Sequence, residues 1–286
     1  SDPIRLDAYA SAIEAQVRPG DVVVDLGAGL GILSLLAARA GARMVYAIEM
    51  GDAARLARRI VERNGLTDRI VVLEEHSLDV ELEELADVLV SETLGSFALD
   101  EKTLPFTIDA RDRLMKRGGC MIPRALDLWL APVEVPAPHR EVAFWREVCG
   151  FDFSDAIEEM LHRMSYADVQ PGMFVAEPQR CAQIDLTTVA VDSLAVRHEF
   201  TMTRPGSVHG LAGWFGADLG EGVRIETTPG GIVTHWRQAF FPYREPVRVI
   251  EGDAMDVKLR IGPKSERDDD TLLQYEFSCT QLAAER

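Results

Sequence analysis

The sequence predicts an α/β half built on a parallel sheet, followed by an antiparallel β half. Three observations predict it. Short apolar runs alternate with helical patterns of about 10–15 residues as far as residue 122, the spacing of βαβ units. A glycine-rich turn, Gly27-Ala28-Gly29-Leu30-Gly31, joins the first apolar run to the next helical pattern. From Pro123 onward the sequence turns to alternating stretches separated by Gly and Pro, the signature of antiparallel sheet.

Taken in order, Asp2-Pro3 reads as an N-cap followed by Pro at the first helical position, opening a helix that closes before Pro19-Gly20. Val22 to Leu26 is a β-branched run typical of a buried parallel strand. Residues 30–40 (Leu30, Leu33, Leu36, Ala37) follow as a helix, then a strand from Met44 to Ile48 and a helix over 52–64 that ends at Asn64-Gly65. Strands at Ile70 to Leu73 and Ala86 to Ser91, a helix over 102–115, and a strand from Cys120 to Ile122 introduced by Gly118-Gly119 complete a first domain, 1–122. In the second, 123–286, the stretches Leu126 to Leu130, Thr187 to Val191, Val208 to Phe215 and Asp256 to Ile261 read as strands. One helical insert, roughly 141–166, carries Val142, Trp145, Val148, Ile157, Met160, Leu161 and Met164 as apolar positions. A packing helix and an oligomer contact fit that pattern equally.

The chain of 286 residues carries 30 Lys and Arg against 47 Asp and Glu, a formal charge of −17. Such a surface repels nucleic-acid phosphate and anionic membranes and favours cationic partners. No apolar stretch approaches the roughly 18–20 residues that span a bilayer, and the N-terminus lacks a basic segment followed by an apolar run. A cytoplasmic protein is expected. Cys120, Cys149, Cys181 and Cys279 form no C-x-x-C pair and are expected to be reduced and mostly buried. No H-E-x-x-H spacing occurs among the six histidines, so no metal is expected.

The glycine turn lets a ligand approach the backbone. The dinucleotide fingerprint wants its third glycine at position 32, which is Ile32, so a nicotinamide dinucleotide fits poorly. Asp25 precedes the turn, and Glu49 ends the second strand, where a carboxylate can accept hydrogen bonds from both hydroxyls of a ribose. The segment from Ser91 to Glu101 begins at the C-terminal end of the fourth sheet strand, where open α/β sheets place ligands. Glu92 and Glu101 stand nine residues apart with Gly95 between them, a spacing that lets one loop turn both carboxylates inward. Two such acids repel unless a cation lies between them, and guanidinium offers five donors in a planar fork suited to carboxylates. On spacing alone, two solvated surface acids remain the alternative.

These segments resemble the class I S-adenosylmethionine (AdoMet) methyltransferases, and among them the protein arginine methyltransferases. The resemblance rests on Val24 to Leu33 around the glycine turn and on Ala40-Gly41-Ala42-Arg43 through Ile48-Glu49. Ser91-Glu92-Thr93-Leu94-Gly95 and Glu101 resemble the family's double-glutamate loop, with Leu94 in place of its methionine. Thr234-His235-Trp236 resembles its Thr-His-Trp loop, and residues 145–154 the segment leading into its dimerisation arm. Asp2, Arg5, Tyr9, Ala12 and Ile13 reproduce its N-terminal helix.

The resemblance implies a doubly wound Rossmann-like AdoMet-binding domain, then an antiparallel β-barrel-like domain with a helical dimerisation arm at about 141–180. It implies AdoMet as cofactor and S-adenosylhomocysteine as product, with contacts from Arg5, Asp25, Gly27, Gly29, Glu49, Met50, Ser77, Leu78 and Glu92. Glu92, Glu101, His235 and Asp2 would be catalytic, acting on a guanidinium nitrogen of arginine in a protein or peptide, in a homodimer. The same chemistry on a small guanidine or amine, and a dimeric scaffold without activity, are the rival readings. Two positions depart from the family: Leu78 stands where a glutamate meets the adenine, with Asp79 or main-chain groups at Ser77 and Leu78 as substitutes. Thr103 stands where a methionine follows the second glutamate, a change expected to widen the pocket.

Overall fold

The computed structural model of the chain describes residues 2–146, 148–161, 163–264 and 271–280. Helix α1 (Pro3–Gln16) is capped by Asp2, whose side chain accepts hydrogen bonds from the Ile4 and Arg5 amides. Then follow β1 (Val22–Leu26), α2 (Ile32–Ala40), β2 (Met44–Ile48), α3 (Ala53–Arg63), β3 (Ile70–Leu73), β4 (Ala86–Ser91), α4 (Thr103–Leu114) and β5 (Met115–Ile122). These five strands form one parallel sheet in the order β3-β2-β1-β4-β5. All of β1 is buried, Asp25 included, as a central parallel strand covered on both faces requires. Strand order reverses between β1 and β4, which opens a crevice at the C-terminal ends of the strands. Leu26 lies opposite Ser91 in that pair, so the glycine turn after β1 and Glu92 after β4 leave the sheet side by side.

The start of the fifth strand differs from expectation. Strand β5 begins at Met115, before the glycine pair, and its register with β4 shifts between Ala86 and Val88. A Cβ on Gly119 would meet the Asp87 carbonyl oxygen at 2.8 Å, so the glycines permit an irregular stretch inside the strand and do not start it.

The second half comprises β6 (Ala125–Val133), α5 (Ala137–Trp145), α6 (Ser154–Leu161), β7 (Ser165–Ala167), β8 (Gln179–Asp185), β9 (Leu194–Thr201), β10 (Gly206–Gly220), β11 (Val223–Glu226), β12 (Gln238–Val249), β13 (Ala254–Pro263) and β14 (Thr271–Thr280). They make two antiparallel sheets, β7-β12-β10-β6-β8 with β11 on β10, and β14-β13-β9. Strand β10 is central and buried along nearly its whole length, so its apolar residues do not alternate.

The helical insert is two helices, not one. Between them Cys149 and Gly150 adopt φ of 54° and 77°, and Val148 pairs with Phe151 across this tight reversal. The insert ends at Leu161, so residues 165–167 are strand and the arm stops well short of 180. Thr187 to Val191 is not a strand either. The Thr187 amide and hydroxyl both donate to the Asp185 carboxylate, and the Thr188 and Val189 amides to the Asp185 carbonyl, a turn that ends β8. Of the four free cysteines only Cys181 is buried, and Cys149 is exposed at the tip of the insert.

Helix α1 bridges the halves. Tyr9 is fully buried and donates to the Ser91 carbonyl at the end of β4, while Gln16 Nε2 donates to the Leu219 carbonyl in β10.

Candidate active site

The glycine turn is held from behind, since the Gly27 and Ala28 amides both donate to the Ile48 carbonyl at 3.0 Å. Gly29 has φ of +55° and open space where a Cβ would stand, a cradle for a ligand against bare backbone. Glu49 accepts from the Gly29 amide at 2.9 Å through one oxygen and from the Gly51 amide at 2.7 Å through the other. Each oxygen keeps a second lone pair for a hydroxyl. Met50 and Leu30 are exposed beside it. These residues fit the ribose and methionine portions of AdoMet.

Asp25 does not join them. Its carboxyl has no exposed surface and accepts from the Ser34 hydroxyl at 2.6 Å. Burial pushes its pKa up to about 6, opposed by Ser34 and reinforced by the charge of Glu49. The direction of β1 turns this side chain onto α2, so it props the turn from below and presents no surface to the cradle. The main-chain substitutes at 77 and 78 are also partly engaged. The Leu78 amide donates to His76 Nδ1 at 3.2 Å, and the Ser77 carbonyl accepts from Arg113 Nη2 at 2.8 Å.

The double-glutamate loop owes its shape to Asp100. Its carboxylate accepts from the Ser96 amide at 2.9 Å and the Phe97 amide at 2.8 Å, folding the chain back on itself. Gly95 has φ of +57°, and a Cβ there would overlap the Asp100 carboxylate, so only glycine serves. The result brings Glu92 and Glu101 onto one cleft of about 400 Å³, together with Arg5, Ser96, His235 and Trp236. Thr103 is not on it. Its hydroxyl is buried and donates to the Thr93 carbonyl, so this position braces the loop.

Glu92 is partly buried and ion-paired with Arg5, whose guanidinium also lies 5.9 Å from the centre of the Trp236 ring. Burial pushes the Glu92 carboxyl up to about 7; the Arg5 charge opposes this and the Glu101 charge adds to it. Glu101 stands at the rim, and partial burial with the charge of Asp100 raises its pKa too. His235 reaches the cleft from the loop between β11 and β12. Its Nδ1 lies 2.9 Å from Asp2 Oδ2, and its amide donates to the same oxygen at 3.0 Å. Burial works against the Asp2 charge, but the His235 amide and ring and the Arg5 amide outweigh it and bring the pKa down to about 2.

Asp2, Arg5, Glu92, Glu101 and His235 therefore converge as the sequence predicts. Tyr166, which also lines the cleft, has no sequence signal, because it falls inside the stretch that reads as helix. Asp100 reads only as a spacer between the glutamates, because the amides it binds lie three and four residues before it, outside the usual side-chain turn patterns.

Comparison with known proteins agrees with this geometry. A family model described as the arginine methyltransferase oligomerization subdomain matches residues 124–280, and one described as ribosomal protein L11 methyltransferase matches residues 9–104. The chain is 32% identical to protein arginine N-methyltransferase 1 of Chlamydomonas reinhardtii, over 96% of this chain and 83% of that protein. It is 32% identical to protein arginine N-methyltransferase 6 of Xenopus tropicalis, over 96% and 86% respectively. The solved Trypanosoma brucei PRMT1 enzyme–prozyme heterotetrameric complex with AdoHcy aligns with a TM-score of 0.85 at 27% identity, covering 100% of this chain and 92% of that one. With more than half the chain inside the first family model and such relatives along nearly all of it, the chain belongs to the protein arginine N-methyltransferase family.

Proposed function

We propose that this enzyme transfers a methyl group from AdoMet to a guanidinium nitrogen of arginine in a protein or peptide. The carrying observation is that Glu92 and Glu101, from a single loop, face one cleft with the Asp2–His235 pair. Gly29, Glu49, Met50 and Arg5 would hold AdoMet, which supplies an electrophilic methyl on its sulfonium. Guanidinium is a poor nucleophile, because its lone pairs are delocalised and it stays protonated. The two glutamates grip the cation and draw its charge toward the gripped nitrogens, leaving the remaining lone pair localised. Holding it in line supplies part of the roughly 7–11 kcal/mol available from orientation.

Asp2 is ionised and only accepts, so the proton on neutral His235 sits on Nδ1 and the lone pair on Nε2. That nitrogen can take the proton the methylated guanidinium releases.

Assembly as a homodimer belongs to the same proposal. Residues 124–280 match the oligomerization subdomain, and Phe144 and Phe151 on the insert are 66% and 69% exposed. A cytoplasmic setting is proposed as well, since a reducing compartment preserves free thiols such as the exposed Cys149. Mass spectrometry of arginine peptides and small guanidines incubated with isotopically labelled AdoMet tests the activity. Methylation confined to the small molecules would replace the peptide by a metabolite, and calorimetry showing no AdoMet binding would leave only a scaffold.

A further inference from the structure

The loop that carries His235 is pinned at both ends. Thr227 exchanges hydrogen bonds with Phe215, its amide donating at 2.9 Å and its hydroxyl accepting at 3.0 Å, and its carbonyl accepts from Gln238 Nε2 at 2.9 Å. Gly230 packs on Pro171, where a Cβ would meet the proline ring at 2.8 Å. Arg237 makes two hydrogen bonds to the Asp168 carboxylate, at 2.8 and 2.9 Å. Between these anchors Ile232 and Val233 are 72% and 82% exposed, three and two residues from His235. Tyr166, 56% exposed on β7, lines the cleft itself. Neighbouring β12 and the Arg237–Asp168 pair tie β7 to the loop. None of these three apolar groups has a part in gripping the guanidinium or moving its proton.

We propose that Ile232, Val233 and Tyr166 form the docking surface for apolar side chains next to the target arginine. The enzyme then prefers arginines with aliphatic or aromatic neighbours to arginines set between glycines. The inference rests on the arginine-peptide reading. Tyr166 and His235 both line the cleft, and Val233 and Ile232 follow within three residues of His235: an arginine seated between Glu92 and Glu101 brings its neighbours, about 3.8 Å apart along the chain, past Tyr166 and the His235 loop. Arg237 and Asp168 pair with each other beside Tyr166, so neither charge competes with apolar contact on that side of the cleft.

The test uses peptides with one arginine, flanked by Gly or by Leu and Phe, with the full-length enzyme and the double variant Ile232→Ser/Val233→Ser. The parent enzyme should favour the apolar-flanked peptide about tenfold in kcat/KM, through KM. In the double variant the KM for that peptide should rise to meet the glycine-flanked value, while the conservative variant Ile232→Val/Val233→Ile keeps the preference. Calorimetry with AdoMet and a thermal melt show that each variant is folded. A parent indifferent to flanks, or a serine variant that keeps the preference, overturns the proposal. Dissociation of the serine variant in sedimentation would overturn it by placing the surface in a subunit contact. No methylation of any arginine peptide by the parent would instead remove the reading on which it rests.

Discussion

His235 Nδ1 lies 2.9 Å from Asp2 Oδ2, and this one carboxylate also caps the first helix. The two roles can be separated. Asp2→Asn retains a cap but loses the anion that orients the imidazole, so kcat should fall about 10²-fold with little change in melting temperature. Asp2→Ala should lose the same activity and also about 1 kcal/mol of stability, seen as a lower melting temperature. An Asn variant with undiminished kcat would remove the pair from the mechanism.

Glu92 sets a pH dependence. Its pKa of about 7 in the fold exceeds the ordinary 4.5, so the folded chain holds the extra proton between these values. The stability this contributes is complete below about pH 4.5 and is lost as pH rises through 7. Glu92→Gln does not titrate, so its melting temperature should gain on the parent's between pH 4.5 and 8, by up to about 3 kcal/mol in stability. Gripping the substrate cation needs the ionised form, so kcat/KM should rise with pH through about 7. A flat melting difference across that range contradicts the assignment.

Glu92→Gln and Glu101→Gln should each lower kcat by about 10²-fold or more while AdoMet binding, measured by calorimetry, stays close to the parent's. Arg5 pairs with Glu92 and not with Glu101, so any small change in affinity should be confined to the first variant.

Glu49→Ala should weaken AdoMet binding by about tenfold to a hundredfold, because it deletes the acceptor of the ribose hydroxyls and releases the Gly29 and Gly51 amides. Asp25→Asn should act differently, raising the melting temperature at pH 8 through relief of a buried charge. Calorimetry and melting curves on the two variants check both halves of this contrast.

Phe144→Asp and Phe151→Asp place charges on the exposed end of the insert. Each should shift the assembly toward monomers in sedimentation velocity without unfolding the parallel-sheet domain.

The convergence of Asp2, Arg5, Glu92, Glu101 and His235 on one cleft was legible because these residues lie at strand ends and in short motifs with strong local character. Strand β4 delivers Glu92, and β1 and β2 deliver the glycine turn and Glu49, at boundaries that hydrophobic runs mark well. Asp25 was misread for a local reason: adjacency to the turn says nothing about which face of β1 the side chain takes. Tyr166 was illegible because β7 has three residues and exists through its pairing with β12, more than 70 positions away. The reversal at Cys149-Gly150 was missed because apolar residues continue through it on the helical period.

The bond between Asp2 and His235 also sets the order in which the parts of this cleft can come together. As the ribosome releases the chain from its N-terminus, the parallel sheet and its glycine turn can fold while most of the β half is still unmade. A nascent chain at that stage has the glycine turn, Glu92 and Glu101, yet lacks His235. The Asp2–His235 pair therefore closes later in synthesis than the glycine turn and the Glu92–Glu101 loop.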